Sequence, residues 1–343
     1  MMGNTSCCCS AGPAREATSS IPTVTDTTSQ ISFQNRWDHF LARVGLDRYG
    51  HLVVPGLYRL GSPSQDSPVF VTANYTLSFD VLRSSLDGIN AYILVLDTKG
   101  VNVWCAAGKG TFGTDELVDR VEKTHLKEIV NHRKLIVPQL GAVGVAAHIV
   151  KKRSGFSVEY GPVRASDIPD YMRIGAVTKE MRRVTFTLLE RLAVAPVEVK
   201  NYMAPMAASV LVMYLAGGFS AAVAAMSAFI AGILLFPTLL PWLPSSNFSV
   251  KGFALGGAVA IPFAVFALFG DGGWIQNAGW AMFYMLAMPP VTAFLALNFT
   301  GSTTFTSVSG VKREIEDYTP IMKKSFGVGM AMMIATILLK WMA

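Results

Sequence analysis

Residues 91–117 read AYILVLDTKGVNVWCAAGKGTFGTDEL. The first seven, AYILVLD, form an unbroken apolar run closed by an acid, the pattern of a strand buried on both faces. The last residues open TDELVDRVEKT (114–124), a predicted helix with Thr114 as N-cap and Asp115 and Glu116 in its first turn. Between the two lies a single cysteine, Cys105, beside Trp104 and ahead of Gly108, Gly110 and Gly113.

The same alternation continues outward. VFVTA (69–73), KLIVPQL (134–140) and FSVEYG (156–161) read as strands, and Asn74–Leu86 and residues 143–153 as helices. Strands alternating with helices predict an α/β domain with a mostly parallel sheet. Ligands in such sheets lie at the carboxyl ends of the strands. Thr72–Asn74, Asp97–Lys109 and Gln139–Gly144 fall there, which makes Thr72, Asn74, Thr98, Gln139 and Gly141 candidate binding residues, with Gly110 and Thr111 just beyond. Upstream, Phe33, Trp37, Phe40, Leu41 and Val44 share one helical face, and Pro55, Gly56, Gly61, Pro63 and Pro68 predict an irregular stretch.

The composition then changes. Of 343 residues 51% are hydrophobic and only 15% charged, with mean hydropathy +0.40, against about 25% charged in a soluble domain. The deficit falls between Met203 and Phe299. Five membrane spans are expected near 199–217, 220–241, 252–270, 278–299 and 325–342. Pro205, Pro237, Pro262, Pro289 and Pro290 lie inside them, as kinks buried between helices permit. The net charge of +6 is concentrated beside these spans, at Lys179, Arg182, Arg183 and Arg191, and at Lys312, Arg313, Lys323 and Lys324. This distribution fits positive-inside flanks better than nucleic-acid binding. It predicts an inner-membrane protein with the α/β domain in the cytoplasm and the C-terminus outside. No expected span carries an acid or base at its centre, so an anchor or platform fits better than an ion pathway.

The organisation expected is a disordered tail (1–30), an α/β domain (31–170), a linker (171–198) and an all-α membrane domain (199–343). The tail holds Cys7, Cys8 and Cys9, a run without the spacing of a CxxC metal site. That leaves Cys105 with no disulfide partner in the folded part.

Three chemistries compete for Cys105. Gly108, Gly110 and Gly113 spell G-x-G-x-x-G, yet the next strand ends in Gln139 and Leu140 where a dinucleotide fold needs an acid. The phosphate P-loop fails because Gly110 follows Lys109 where Ser or Thr is required. A nucleophilic thiol needs a base, and nothing in the spacing pairs His125, His132 or His148 with it. A small core residue remains, as does a metal ligand supplied singly. One thiolate suffices when a macrocycle fills the other positions. Ala106, Ala107 and Gly108 would let a flat ring lie close, the glycine turn would offer backbone N–H groups, and Asn102 and Lys109 could reach its rim. The residues alone leave the choice open.

NVWCAAGKGTFGTDEL resembles the signature of the corrinoid proteins of microbial mercury methylation, the HgcA family. More distantly it is similar to the corrinoid domain of the corrinoid iron–sulfur protein. PGLYRLGSPSQDSPVFVTANYTLSFDVLR, YILVLDTKG, PQLGAVGVAAHIVKKRSGFSVEYGPVRASD and NFTGSTTFTSVSGVKRE extend the resemblance over roughly 31–343. It implies a Rossmann-like corrinoid-binding domain with a cap helix, a five-span tail and a cobalamin-type cofactor. Cys105 would be the lower axial cobalt ligand and the catalytic residue. Asn102, Val103, Trp104, Ala106, Ala107, Gly108, Lys109, Gly110 and Thr111 would form the cap. The activity implied is transfer of a methyl group from Co(III) to Hg(II). A soft, electron-donating thiolate would push density onto the methyl carbon, for delivery as a carbanion or radical equivalent. Return to Co(I) implies a ferredoxin-like, HgcB-type partner with two 4Fe–4S clusters as electron donor.

Overall fold

The structure, a computed structural model, describes residues 24–47, 50–299 and 308–342. Cys7, Cys8 and Cys9 lie outside the described residues. The chain forms two compact units, residues 1–36 with 49–182, and residues 37–48 with 183–343.

The first unit is a six-stranded sheet: β1 (Thr25–Thr27), β2 (Gly56–Leu60), β3 (Val69–Ala73), β4 (Ala91–Leu96), β5 (Lys134–Val137) and β6 (Ser157–Tyr160), in the order β1-β2-β4-β3-β5-β6. Only the β2–β4 pair is antiparallel. Every residue of β3 and β4 is buried, because helices cover both faces. Val69, Val71, Leu94, Leu96, Leu135 and Val137 point into one core, and Phe70, Ile93, Val95 and Ile136 into the other. This is the strand period of two applied to a sheet with no wet face. Its helices are α2 (Thr76–Ser85), α3 (Val103–Lys109), α4 (Thr114–Lys123), α5 (Leu126–Ile129), α6 (Ala147–Ser154) and α7 (Ile168–Ile174), whereas α1 (Phe33–Val44) starts in this unit and has residues 37–44 in the second.

Several boundaries differ from expectation. The stretch predicted as irregular contains β2, held by its register with β4 (Gly56↔Val95 to Leu60↔Ala91). Residues 25–27, expected in the tail, pair with it as β1. The third predicted strand stops at Val137, where Pro138 removes a donor and Gln139–Gly141 turns as a 3-10 helix. Helix α6 begins at Ala147, not at residue 143. Gly113, not Thr114, caps α4, and the Thr114 hydroxyl accepts the Ala146 N–H at 2.8 Å. The expected linker (171–198) takes in the end of α7, the start of the helix at Ala195 and all of α8 (Leu188–Leu192), which opens on a Thr187–Glu190 capping box.

The second unit is helical: α9 (Ala195–Ile230), a π-helical turn (Ala231–Leu235), α10 (Phe236–Leu239), α11 (Phe248–Leu268), α12 (Trp274–Leu297) and α13 (Val308–Met342). Among the described residues four helices are long and apolar enough to cross a membrane: Leu188–Leu239, Phe248–Leu268, Trp274–Leu297 and Gly310–Lys340. Five were expected. The first two expected spans are continuous here, since no polar loop separates them; they meet at Gly218, whose φ of 75° and ψ of −162° are not helical. Packing shows the direction of each half. Gly217 lies against Trp280, the Thr292 hydroxyl donates to Ala228 O at 3.1 Å, and Gly232 meets Leu295. Residues 217–232 therefore rise along α12. Tyr202, well before Gly218, receives a hydrogen bond from Asn298 at the far end of α12, at 2.9 Å. The two halves run in opposite directions.

Small residues set the spacing of α11 and α12. In GFALG, a Cβ on Gly252 would lie 2.5 Å from Ala293 Cα, and one on Gly256 2.7 Å from Pro289 Cα. Helix α13 begins well before residue 325. Its first turns are amphipathic, with Lys312–Glu316 and Arg313–Asp317 pairs and a buried Glu314 accepting the Ser249 N–H. Lys323 and Lys324 thus lie inside the fourth apolar helix.

Candidate functional site

Asn74 at the end of β3 organises the site. Its buried side-chain Oδ1 accepts from Thr98 N (3.0 Å), Thr98 Oγ1 (2.9 Å) and Gly100 N (3.1 Å). Thr98, fully buried, donates to Val101 O at 2.7 Å. This network bends DTKG (97–100), with Lys99 and Gly100 at positive φ, and aims the chain into α3. Asp97 closes the turn by accepting from Lys99 N at 3.1 Å and pairing with the Lys99 ammonium. Partial burial opposes its ionisation, but the Lys99 hydrogen bonds and charge, with Arg120 beyond, hold its carboxyl below the usual range. Glu116 accepts the Asp97 N–H at 2.8 Å and pairs with Arg120.

Helix α3 is only seven residues long, so its ends carry it. Asn102 caps it by accepting the Cys105 N–H at 2.9 Å. Gly110, at φ 84°, closes it in a left-handed turn that returns its N–H to Ala106 and Ala107 carbonyls. Ala106 and Ala107 face the sheet core with Phe112. Asn102, Gly108 and Lys109 are exposed and Cys105 is half-buried. The spacing of 102, 105, 108 and 109 puts them on one helix face.

That face fits a flat ligand. Gly108 sits inside the helix, where glycine costs about 1 kcal/mol relative to alanine. Yet a Cβ there would meet nothing within 4 Å. Protein packing gives no reason for the glycine. Among the described residues no three His, Cys, Asp or Glu side chains gather into a metal site. Cys105 is a free thiol, half-buried on α3.

Of the residues expected at the site, Thr72, Asn102, Val103 and Trp104 line a cavity of about 300 Å³ beside the helix, with Pro138 and Leu140. Asn74 and Thr98 hold the loop from within. Thr111 N–H donates to Ala106 O at 3.0 Å. Gln139 receives Arg182 at 2.8 Å, and Gly141 packs on Phe112. Sequence reasoning placed Gly144 at the carboxyl end of a strand but not as a support, and missed Phe112 and the Glu116–Arg120 pair altogether. A Cβ on Gly144 would lie 2.1 Å from Phe112 O and 3.1 Å from Ala107 Cα, so the loop after β5 presses directly on α3. The glycines of PQLGAVG were the available signal.

Residues 48–172 match the family model for the CO dehydrogenase/acetyl-CoA synthase delta subunit. An acetyl-CoA decarbonylase/synthase complex subunit gamma from Methanopyrus kandleri is 33% identical over 122 residues, 35% of this chain and 26% of the relative. The corresponding subunits of Archaeoglobus fulgidus and Methanosarcina acetivorans are each 33% identical, over 130 and 124 residues, covering 37% and 34% of this chain and 27% and 25% of theirs. The chain spans about a quarter of the length of these curated relatives. The likeness is that of the α/β unit from β2 into α7, α3 included, to the CO dehydrogenase/acetyl-CoA synthase delta subunit model.

Proposed function

We propose that the α/β unit holds a corrinoid against α3 and that the protein is a corrinoid-dependent methyltransferase whose acceptor is Hg(II). The observation that carries the corrinoid is the pairing of Cys105 with the unfilled space at Gly108 on one face of α3. The similarity of residues 48–172 to the acetyl-CoA decarbonylase/synthase subunits supports the same cofactor. When bound, the corrinoid supplies a cobalt centre that takes up a methyl group and gives it to an acceptor. Cys105 would be the protein's ligand to cobalt, a soft donor matched to a soft acceptor chemistry. Asn102 fixes the Cys105 backbone by capping the helix, Lys109 would reach the rim of the ring, and the Asn74–Thr98 network braces the turn that leads into α3. Mercury as acceptor rests on the signature NVWCAAGKGTFGTDEL and on the helical unit that follows the α/β unit.

A second acceptor has its own support. The relatives named above belong to acetyl-CoA decarbonylase/synthase complexes, so a one-carbon acceptor is the competing reading. In either case a ferredoxin-like protein with two 4Fe–4S clusters would restore the reduced cofactor.

The helical unit is a multi-pass membrane domain in this proposal. A straight helix of 52 residues would be ~80 Å long, far beyond the ~30 Å hydrocarbon core. Folded at Gly218, it supplies two passes, for five in all. The α/β unit then lies in the cytoplasm and the C-terminus outside.

The test is the full-length protein expressed with ample corrinoid. A corrinoid absorbance spectrum that Cys105→Ala shifts or abolishes is expected, with methylmercury formed when the methyl-loaded protein meets Hg(II). Colourless protein removes the corrinoid. Coloured protein that methylates a one-carbon acceptor but not Hg(II) keeps the carrier and removes mercury.

A further inference from the structure

Helix α1 carries an apolar stripe whose Phe33, Trp37 and Phe40 are left exposed among the described residues, while Leu41 and Val44 are half-buried. Phe33, Trp37, Phe40, Leu41 and Val44 share a face, and no residue of α1 is buried. Phe33 is 83% exposed, Trp37 53% and Phe40 52%. The Trp37 and Phe40 rings stack 5.3 Å apart. Arg36 and Arg43 lie along one edge of the stripe, about 80–100° round the helix from its centre.

The end of α1 is fixed in place. Residues 37–48 belong to the helical unit. A Cβ on Gly45 would lie 2.6 Å from Val197 Cγ2, and the Lys200 ammonium donates to Gly45 O. Val197 and Lys200 are in the first two turns of α9, where the first long apolar helix gets under way. A stripe tied to that level stands where hydrocarbon gives way to water. Tryptophan concentrates there, and arginines beside such a stripe reach lipid phosphates.

We propose that α1 lies in the plane of the membrane interface, its Trp37–Phe40 face sunk into the boundary between head groups and acyl chains, with Arg36 and Arg43 on lipid phosphates. The occupant of the exposed face is the same phospholipid bilayer that takes α9, so the proposal rests on the membrane placement of the helical unit.

The test uses the full chain in phosphatidylcholine–phosphatidylglycerol vesicles with lipids brominated either near the head group or near the bilayer centre. The chain has six tryptophans, Trp37, Trp104, Trp242, Trp274, Trp280 and Trp341. The Trp37 contribution is the difference between wild type and Trp37→Phe. Shallow bromines are expected to quench it more than deep ones, and Trp37→Phe combined with Phe40→Trp is expected to restore that component. Trp37 left unquenched while the remaining tryptophans are quenched overturns the inference alone, and points to a protein partner or second copy on this face. No quenching of any tryptophan overturns the membrane placement and the inference with it.

Discussion

The Asn102 side chain accepts the Cys105 backbone N–H at 2.9 Å, so the residue that starts α3 also fixes the residue that carries the thiol. Side chain and site are separated by less than one helical turn. Asn102→Ala removes this cap, at a cost of about 1 kcal/mol. In a seven-residue helix that loss is concentrated at Cys105. The expected result is a lower melting temperature and reduced corrinoid per mole of protein in the absorbance spectrum. Asn102→Asp retains an oxygen acceptor and should recover most of both.

Gly108 separates binding from stability. A Cβ there would meet nothing within 4 Å, and leucine is the better helix former by roughly 0.5–1 kcal/mol. Gly108→Leu should therefore melt higher than wild type without corrinoid. It should also take up less corrinoid, because the side chain occupies the face beside Cys105. If it binds normally, the ring does not lie on this face.

Gly144 makes the opposite case. A Cβ would meet backbone atoms of Phe112 and Ala107, neither of which can swing aside. Gly144→Ala should destabilise the α/β unit by roughly 1–3 kcal/mol and displace α3 from the sheet. Denaturant unfolding would record the first effect, and loss of corrinoid uptake the second.

Asp97 gives the turn a pH dependence. Burial works against its ionisation, but the Lys99 contacts dominate and its pKa in the folded protein is depressed. A depressed carboxylate stabilises the fold fully above its unfolded pKa, about 3.9. That contribution is lost as pH falls through the lower folded value. Acid titration of the wild type should show this loss beginning below about pH 5. In Asp97→Asn the component should be absent, with lower stability at neutral pH and a flatter acid limb.

Much of the α/β unit was legible because its signals are local. The apolar runs of β3 and β4, the acids at the start of α4 and the turn after Asp97 each reside in a few adjacent residues. Strand β2 was not legible, because GLYRL has glycines and prolines on both sides and becomes a strand only through pairing with β4. At the site, Cys105 stood out, while its supports did not. Asn74 and Thr98 look like ligand-facing polar residues at strand ends, yet their polar atoms hold the loop. Gly144 matters through contacts with residues more than 30 positions earlier. The expected limits of the first two spans, 217 and 220, bracket the turn at Gly218, while the start of the first apolar helix at Leu188, ahead of the expected 199, was not legible.

That turn determines the topology. Gly218 has φ 75° and ψ −162°, a region that side-chain-bearing residues occupy only at a cost of roughly 1–3 kcal/mol. If the chain reverses there within the bilayer, five passes place the C-terminus across the membrane from the α/β unit. If Leu188–Leu239 crossed once, four passes would return the C-terminus to the same side. Reporter fusions after Ala343 and within 242–247 distinguish the two. The five-pass arrangement predicts a periplasmic reporter signal at the C-terminus and a cytoplasmic one at 242–247, and the four-pass arrangement predicts the reverse. Gly218→Val should lower the yield of folded protein, because its branched side chain opposes the backbone angles that bring Tyr202 back to Asn298.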